Sequence, residues 1–208
     1  MGIKERKERE KERRRQQIIV AAKRIFSAKG FNKATMEDIA REAEISPGTI
    51  YLYFKNKDEL YASLSIRILQ HLNIRLEHVK NQNNTDEQKI ALLKDALYDI
   101  YDFDPLILIN LFHLQSSESL KNLSPGLMSE IKRLSQSSLK IMSDIFSEGI
   151  RTGVFINENP NALADIVWSL FSGVILWEES KKIINNKKDF LKTTLDIAFD
   201  IFRQGVTK

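Results

Sequence analysis

At 208 residues the chain is long enough for one or two domains with a sizeable core. It contains no cysteine, which excludes disulfides and thiolate metal sites, and no run of about 18 apolar residues, so no membrane span is expected. Its charge is uneven: residues 1–57 carry 15 Lys+Arg against 8 Asp+Glu, a net of +7, whereas residues 58–208 carry 17 against 20, a net of −3, so the first quarter is the part suited to a polyanion.

The first residues are charged with no apolar run behind them, so no secretory signal is expected and the cytoplasm is the expected compartment. Lys4 to Gln16 is almost wholly charged. Glu5 with Arg9 and Glu10 with Arg14 stand four apart in the favourable order, which fits a solvated helical extension; a frayed tail is the alternative. Ile18, Ala22, Ile25 and Phe26 then form a buried stripe, closed by Gly30 as a C-cap.

Residues 35–57 are the most informative stretch. Thr35 with Asp38 reads as an N-terminal capping pair, and Ile39, Ala40 and Ala43 give the helix behind it one apolar face. Glu44 breaks that pattern in the turn, and Ile45 tucks inward. Ser46 is an N-cap and Pro47 a first helical residue, since a missing N–H has no intrahelical partner there. Ile50 and Phe54 anchor the second helix, which leaves Gly48, Thr49, Tyr51, Leu52 and Tyr53 outside. Asn56 caps the next helix with Glu59 completing the box, and Lys55 and Lys57 flank a helix N-terminus that attracts phosphate. Two short helices, a tight turn and a basic, aromatic exit make a helix-turn-helix suited to a DNA major groove.

From about Gln17 to about Leu64 the chain resembles the DNA-binding domain of the TetR/AcrR family of one-component bacterial regulators. The resemblance rests on Ile25-Phe26, Gly30-Phe31, Thr35, Ile39-Ala40, Ala43, Ile45, Ser46 to Tyr51, Tyr53-Phe54, Lys55-Asn56-Lys57 and Leu60. Many members have glycine where this chain has Glu44; if the turn needs φ > 0 there, Glu44 is mildly strained. The resemblance implies a homodimeric repressor on a near-palindromic double-stranded operator. It implies groove contacts from Ser46, Pro47, Gly48 and Thr49 and phosphate contacts from Thr35, Tyr51, Tyr53 and Lys57, with Lys55 beside them. No Arg, Asn or Gln stands on that helix, so DNA shape is expected to carry much of the specificity.

Beyond this segment all four prolines follow a capping residue, as Ser46-Pro47, Asp104-Pro105, Ser124-Pro125 and Asn159-Pro160, and Thr85 with Gln88 marks another helix start. Helices are expected near 4–29, 36–43, 47–53, 57–80, 86–102, 105–115, 125–152, 160–184 and 187–204, with no strand signals. The class is all-α: a DNA-binding unit over 1–57 and a helical effector-binding and dimerisation unit over 58–208.

Ala162 to Trp177 is apolar on nearly every side, and the final helix carries a broad stripe from Phe190 to Phe202. A helix apolar all round must be covered all round. A second copy is the simplest cover, through Leu163, Val167, Leu170, Val174, Leu191, Leu195, Ala198 and Phe202; packing within one subunit is the alternative. Tyr98, Tyr101, Phe103, Phe112, Phe146, Trp168, Phe171 and Trp177 fall in the middle and C-terminal helices beside Leu111, Leu139 and Met142; most are expected to be ordinary core, and a surplus of this kind can also leave a chamber between helices, expected here to hold a small apolar effector. Asp102, Glu178 and Glu179 favour a cationic amphiphile there, and Arg133 and Arg151 an acyl chain with an acidic head. His71, His78 and His113 are scattered, and no phosphate loop, nucleophile elbow or HExxH occurs, so no catalytic residue, cofactor or metal is assigned. An effector-free DNA-organising protein and, more remotely, an enzyme carrying a DNA-binding appendage are the rival readings.

Overall fold

The computed structural model describes residues 2–116, 123–184 and 190–208. Among them the chain forms α1 (Ile3–Lys33), α2 (Met36–Glu42), α3 (Pro47–Ile50), α4 (Lys57–Asn81), α5 (Asp86–Phe103), α6 (Pro105–Ser116), α7 (Pro125–Arg151), α8 (Pro160–Ile184) and α9 (Leu191–Val206). The all-α class stands.

The punctuation in the sequence sets most of these boundaries. Thr35 Oγ1 accepts from the Asp38 amide at 3.1 Å while Asp38 accepts from the Thr35 amide at 3.3 Å, so the reciprocal box that opens α2 is formed. Thr85 and Gln88 do the same for α5. Asp104 Oδ1 accepts from the Ile107 amide at the start of α6, and Asn159 Oδ1 from Asn161 at the start of α8. α1 bends at Gly30 (φ 72°, ψ 163°), near the expected helix end, and one more turn to Lys33 lays Phe31 against Phe26 and Tyr61.

Three local expectations change. α3 keeps α-helical form only over Pro47–Ile50; after it the Leu52 and Tyr53 amides donate to carbonyls three residues back, a tighter coil than the expected helix to 53. Asn56 caps α4, but Glu59 does not complete that box: it accepts from the Lys55 amide at 2.8 Å and the Ser124 amide at 3.0 Å. In α1, Glu10 pairs with Arg13 rather than Arg14, which donates to Gln17.

α4 is the spine of the molecule. Its first turns pack on α1, and the rest meets α5, α6 and α7; α8 then covers α7, and α9 covers α5 and α8. One contiguous core runs through all of it, with Phe26, Phe146, Phe155 and Phe171 among its fully enclosed side chains. The turn after α7 buries Phe155 so tightly that a Cβ on Gly149 would overlap its ring. That turn also pairs with the C-terminal end: Ile156 donates to the Val206 carbonyl at 2.8 Å and Lys208 to the Val154 carbonyl at 3.0 Å. Pro160–Lys182 is long and apolar enough, by length and composition, to cross a bilayer, with a mean hydropathy of 1.3. Here one side of it is packed on α6, α7 and α9.

Candidate nucleic-acid interface and effector chamber

The helix-turn-helix is fastened from behind. Ile39, Ala40 and Ile50 are fully buried, and Gln17 of α1 donates to the Ala43 carbonyl in the turn at 2.8 Å. Glu44 takes φ 54°, the left-handed conformation that glycine adopts without cost. Ser46 Oγ accepts from the Thr49 amide at 3.2 Å and shares a hydrogen bond with Thr49 Oγ1 at 2.7 Å, so these two hydroxyls are pre-positioned on one edge. Ser46, Pro47, Gly48, Tyr51 and Lys55 are exposed, and Thr49 and Tyr53 half-buried. Leu52 is 78% exposed, the largest apolar side chain this surface offers, and it follows from the same period that turns Ile50 inward. A face this solvated has no packing role in the subunit, and its small hydroxylated edge fits a groove floor.

Lys57 departs from the expected free clamp. Its ammonium donates to the carbonyls of Phe31 at 2.7 Å and Ala34 at 3.0 Å and lies 4.4 Å from the Phe31 ring centre. The orphan carbonyls at the end of α1 draw it inward, as helix C-termini draw cations, and one of its three donors remains. Lys55 is the outward lysine of the pair. Thr35 is exposed, with its oxygen engaged in the α2 cap.

Glu59 has a larger role than the capping one that its position suggests. It is buried, and it joins the exit of the recognition segment (Lys55) to the start of α7 (Ser124). Burial alone would raise its carboxyl; the amides of Lys55 and Ser124, with the Ser124 side chain and the nearby Lys55 charge, outweigh burial and hold it below the ordinary glutamate value. Nothing in the sequence pairs residue 59 with 124. A second tie joins Lys23 of α1 to Asp104 at the α5–α6 corner as an ion pair.

The eleven residues expected around an effector do not converge on one open chamber. Phe112, Trp168 and Phe171 cluster, with ring centres 5.6–6.2 Å apart, and Leu111 and Met142 are buried beside them in the same core. Leu139 and Trp168, with Leu69, Leu72, Ser135 and Ser138, line a cavity of about 30 Å³ between α4, α7 and α8, room for roughly one water. Phe146 packs instead on Phe155 and Phe202. Tyr101 donates to Glu179 at 2.9 Å. Tyr98 lines an open groove of about 400 Å³ between α5 and α9. Phe103 stacks on His71 near the surface, and Trp177 is 62% exposed on the outer side of α8. Helical spacing distinguishes the aromatics of one stripe from another, but not a lining residue from a packed one.

The charges that could have met an effector are engaged elsewhere. Glu178 pairs with Lys181 and Glu179 with Lys182; Arg133 and Arg151 pair with Glu130 and Glu148 at the surface. Asp102 is exposed. His78 is bonded to Gln82, and the side chain of His113 lies outside the described residues.

The two apolar helices divide into an inner and an outer face. Of the residues expected at an interface, Leu163, Val167, Leu191 and Leu195 are buried in the subunit's own core. Leu170, Val174 and Ala198 are half-buried, and Phe202 leans on Phe146. The apolar side chains left outside are Ile166 and Trp177 on α8 and Ile197 and Ile201 on α9, the last two 56% and 65% exposed. Four of the eight expected positions thus fall on the inward stripe and four at its margin. The outer stripe runs one position away on each helix and is legible from the same 3.6-residue period.

Comparison with known proteins joins these parts. A family model described as "Bacterial regulatory proteins, tetR family" matches residues 18–64, and one described as "QacR-like protein, C-terminal region" matches residues 73–208. The chain belongs to the TetR family. Among curated TetR-family relatives, a "Fatty acid metabolism regulator protein" of Bacillus subtilis is 30% identical over 139 residues, covering 66% of this chain and 68% of the relative. The fold matches that of the TetR family regulator PfmR from Thermus thermophilus, with a TM-score of 0.72 at 17% identity over 92% of this chain and 99% of that one. It also matches the transcriptional regulator FadR from Bacillus subtilis in complex with stearoyl-CoA, with a TM-score of 0.69 at 23% identity over 91% and 98%. This TetR-family chain is therefore a DNA-binding transcriptional regulator. The family matches part between residues 64 and 73, inside the unbroken α4, so the two halves share one helix.

Proposed function

We propose that this protein is a cytoplasmic, ligand-responsive repressor that binds a near-palindromic operator as a homodimer and is released by an effector with a long acyl chain. The observation that carries the reading is the exposed edge Ser46–Tyr51, held rigidly behind by Gln17 and Ile50 and joined through α4 to a helical body. Residues 1–57 with the first turns of α4 form the DNA-binding unit, and the remainder senses and dimerises. The outer stripe of Ile166, Trp177, Ile197 and Ile201 is the surface for the second copy, because exposed apolar side chains in register on two adjacent helices require a cover.

The effector class rests on two supports. The α4–α7–α8 interior is aliphatic and aromatic with two serine hydroxyls and, among the described residues, no carboxylate in its lining. That lining suits a hydrocarbon chain better than a sugar or a bare cation. The second support is the relative's role in fatty acid metabolism. The cavity of about 30 Å³ is far below the hundreds of Å³ an acyl chain needs, so binding must part α4 from α7 and α8. Leu69 and Leu72 face that cavity, and the same helix begins at Lys57, roughly 18 Å away at 1.5 Å per residue. Movement of α4 at one end therefore shifts the recognition segment at the other. Release follows only if the effector prefers the parted state.

The test begins with selection of an operator from random duplexes. Stearoyl-CoA, free fatty acids and cationic dyes are then compared for operator release and for a rise in melting temperature. Acyl compounds are expected to do both. Release by dyes alone would replace the acyl class with cationic amphiphiles. No response to any apolar compound would favour the effector-free DNA-organising protein.

A further inference from the structure

Residues 2–17 lie outside both family matches, yet Ile3–Gln16 continues α1 as an exposed helix. Between Lys4 and Arg15 it carries eight basic residues and four acidic ones. They fall in strips along the helix, with Arg6, Arg9 and Arg13 on the far side. Lys4, Lys7, Lys11 and Arg14 recur at three- and four-residue spacing and so share one face, while Glu5, Glu8 and Glu12 share a strip about a third of a turn away. Glu10, the remaining acid, is taken by Arg13. Lys4, Lys7 and Lys11 have no carboxylate within ion-pair distance among the described residues. With basic residues twice as numerous as acidic ones, pairing within the helix cannot neutralise it, and the lysine face keeps its positive charge.

The direction of the cationic face follows from the rest of α1. The series 4, 7, 11, 14 runs on as Ile18, Ala21, Ala22 and Ile25, the stripe that packs into the DNA-binding unit. The face is thus turned to the side on which the helix-turn-helix lies. The base of the extension abuts that motif: Arg15 lies 5.0 Å from the Phe54 ring at the recognition exit, and Gln17 bonds the turn at Ala43. From there Ile3–Gln16 projects roughly 20 Å at 1.5 Å per residue, about the length of six base pairs.

We propose that this helix is a second DNA contact, laying Lys4, Lys7, Lys11 and Arg14 along the phosphates that flank the operator half-site. It rests on the reading of the protein as an operator-binding regulator and extends that reading beyond the helix-turn-helix. The contact is electrostatic and sequence-independent: it lengthens the footprint and raises affinity without adding base preference. The occupant is duplex DNA because the face is cationic along Lys4, Lys7, Lys11 and Arg14, has a single apolar residue, Ile3, in the same period, too little to seat a protein partner, and its base abuts the helix-turn-helix through Arg15 and Gln17.

The experiment compares the full-length protein with a Lys4→Gln, Lys7→Gln, Lys11→Gln variant and a charge-matched Arg6→Gln, Arg9→Gln, Arg13→Gln variant. Each is titrated against the selected operator, cut flush or extended by one helical turn, about 10 base pairs, on both sides. The lysine variant is expected to bind the extended duplex about tenfold or more weaker, with a salt slope reduced by about 0.9 for each phosphate no longer neutralised. The flush duplex should be bound roughly as before, and the arginine variant should leave the difference between the two duplexes intact. Deleting residues 2–11 should reproduce the lysine variant, which controls for lost helicity. Equal losses in both triple variants, equal losses on both duplexes, or no loss would overturn the proposal. A wild type that selects no operator would bring down the regulator reading and this one with it. A wild type that selects an operator while the lysine variant is unimpaired would bring down this one alone.

Discussion

Glu59 accepts from two main-chain amides out of contact with water, so its side chain is committed to the role of acceptor. Replacing its carboxylate by an amide puts an N–H against an N–H. Glu59→Gln is therefore expected to lower unfolding stability by about 1–3 kcal/mol, the cost of a buried donor left without an acceptor. The pH dependence has a definite sign. A carboxyl held below its ordinary value in the folded chain adds stability at pH values above the unfolded value, near 4.5. That contribution is lost as pH falls from there through the lower folded value. Denaturant titrations between neutral pH and pH 3 should show the Gln variant losing less on acidification than the wild type. Parallel curves would mean the carboxylate is not the group that titrates. In the sequence this residue reads only as part of a helix start, because its partner at position 124 is remote along the chain. Glu44 is the opposite case: its turn asks for a residue tolerant of positive φ, so the anomaly is visible at once, and its φ of 54° is that conformation.

At the scale of elements, capping residues and prolines make starts legible, because a cap and its partner lie within four residues of each other. Ends and faces are harder. α3 stops at Ile50 because the chain tightens to reach Asn56, a constraint set by where α4 must begin. The stripes of α8 and α9 read as one broad apolar band, since nothing within a helix says which of two apolar faces meets its own subunit. The turn after α7 is a further case: Gly153 marks it, whereas the packing of Phe155 under Gly149 joins two elements and leaves no local signature. Gly149→Ala would force that ring out of its site. Overpacking of this kind costs about 1–3 kcal/mol, and a thermal melt of the variant should show it. An unchanged melting temperature would mean the turn repacks freely.

For the whole molecule, the all-α class and the DNA-binding segment are legible in the sequence. The state of the interior is not, because aromatic content is the same whether a chamber is open or collapsed onto about 30 Å³. The proposed assembly makes a sharp demand. Ile201→Glu places a charge on the outer stripe without touching the subunit core, unlike a change at Phe202, which supports Phe146. Sedimentation should show monomers at micromolar concentration, with operator affinity falling by more than tenfold as the linkage of two half-sites is lost. A dimer that persists with unaltered affinity would move the interface elsewhere.

The Glu59 tie has a consequence for how mutations in this chain will be interpreted. Two of its donors are main-chain amides, and those bonds survive a change of side chain at 55 or 124, although the Ser124 side chain adds a hydrogen bond of its own. An alanine scan would register position 59 strongly and 124 only through the loss of its hydroxyl. Among relatives the main-chain part of the tie would leave no covariation, since any residue but proline supplies the amide. The main-chain part of the link between the recognition exit and the start of α7 would then be genetically invisible from one side: a proline at 124 would cut it, and every other substitution there would leave that bond in place.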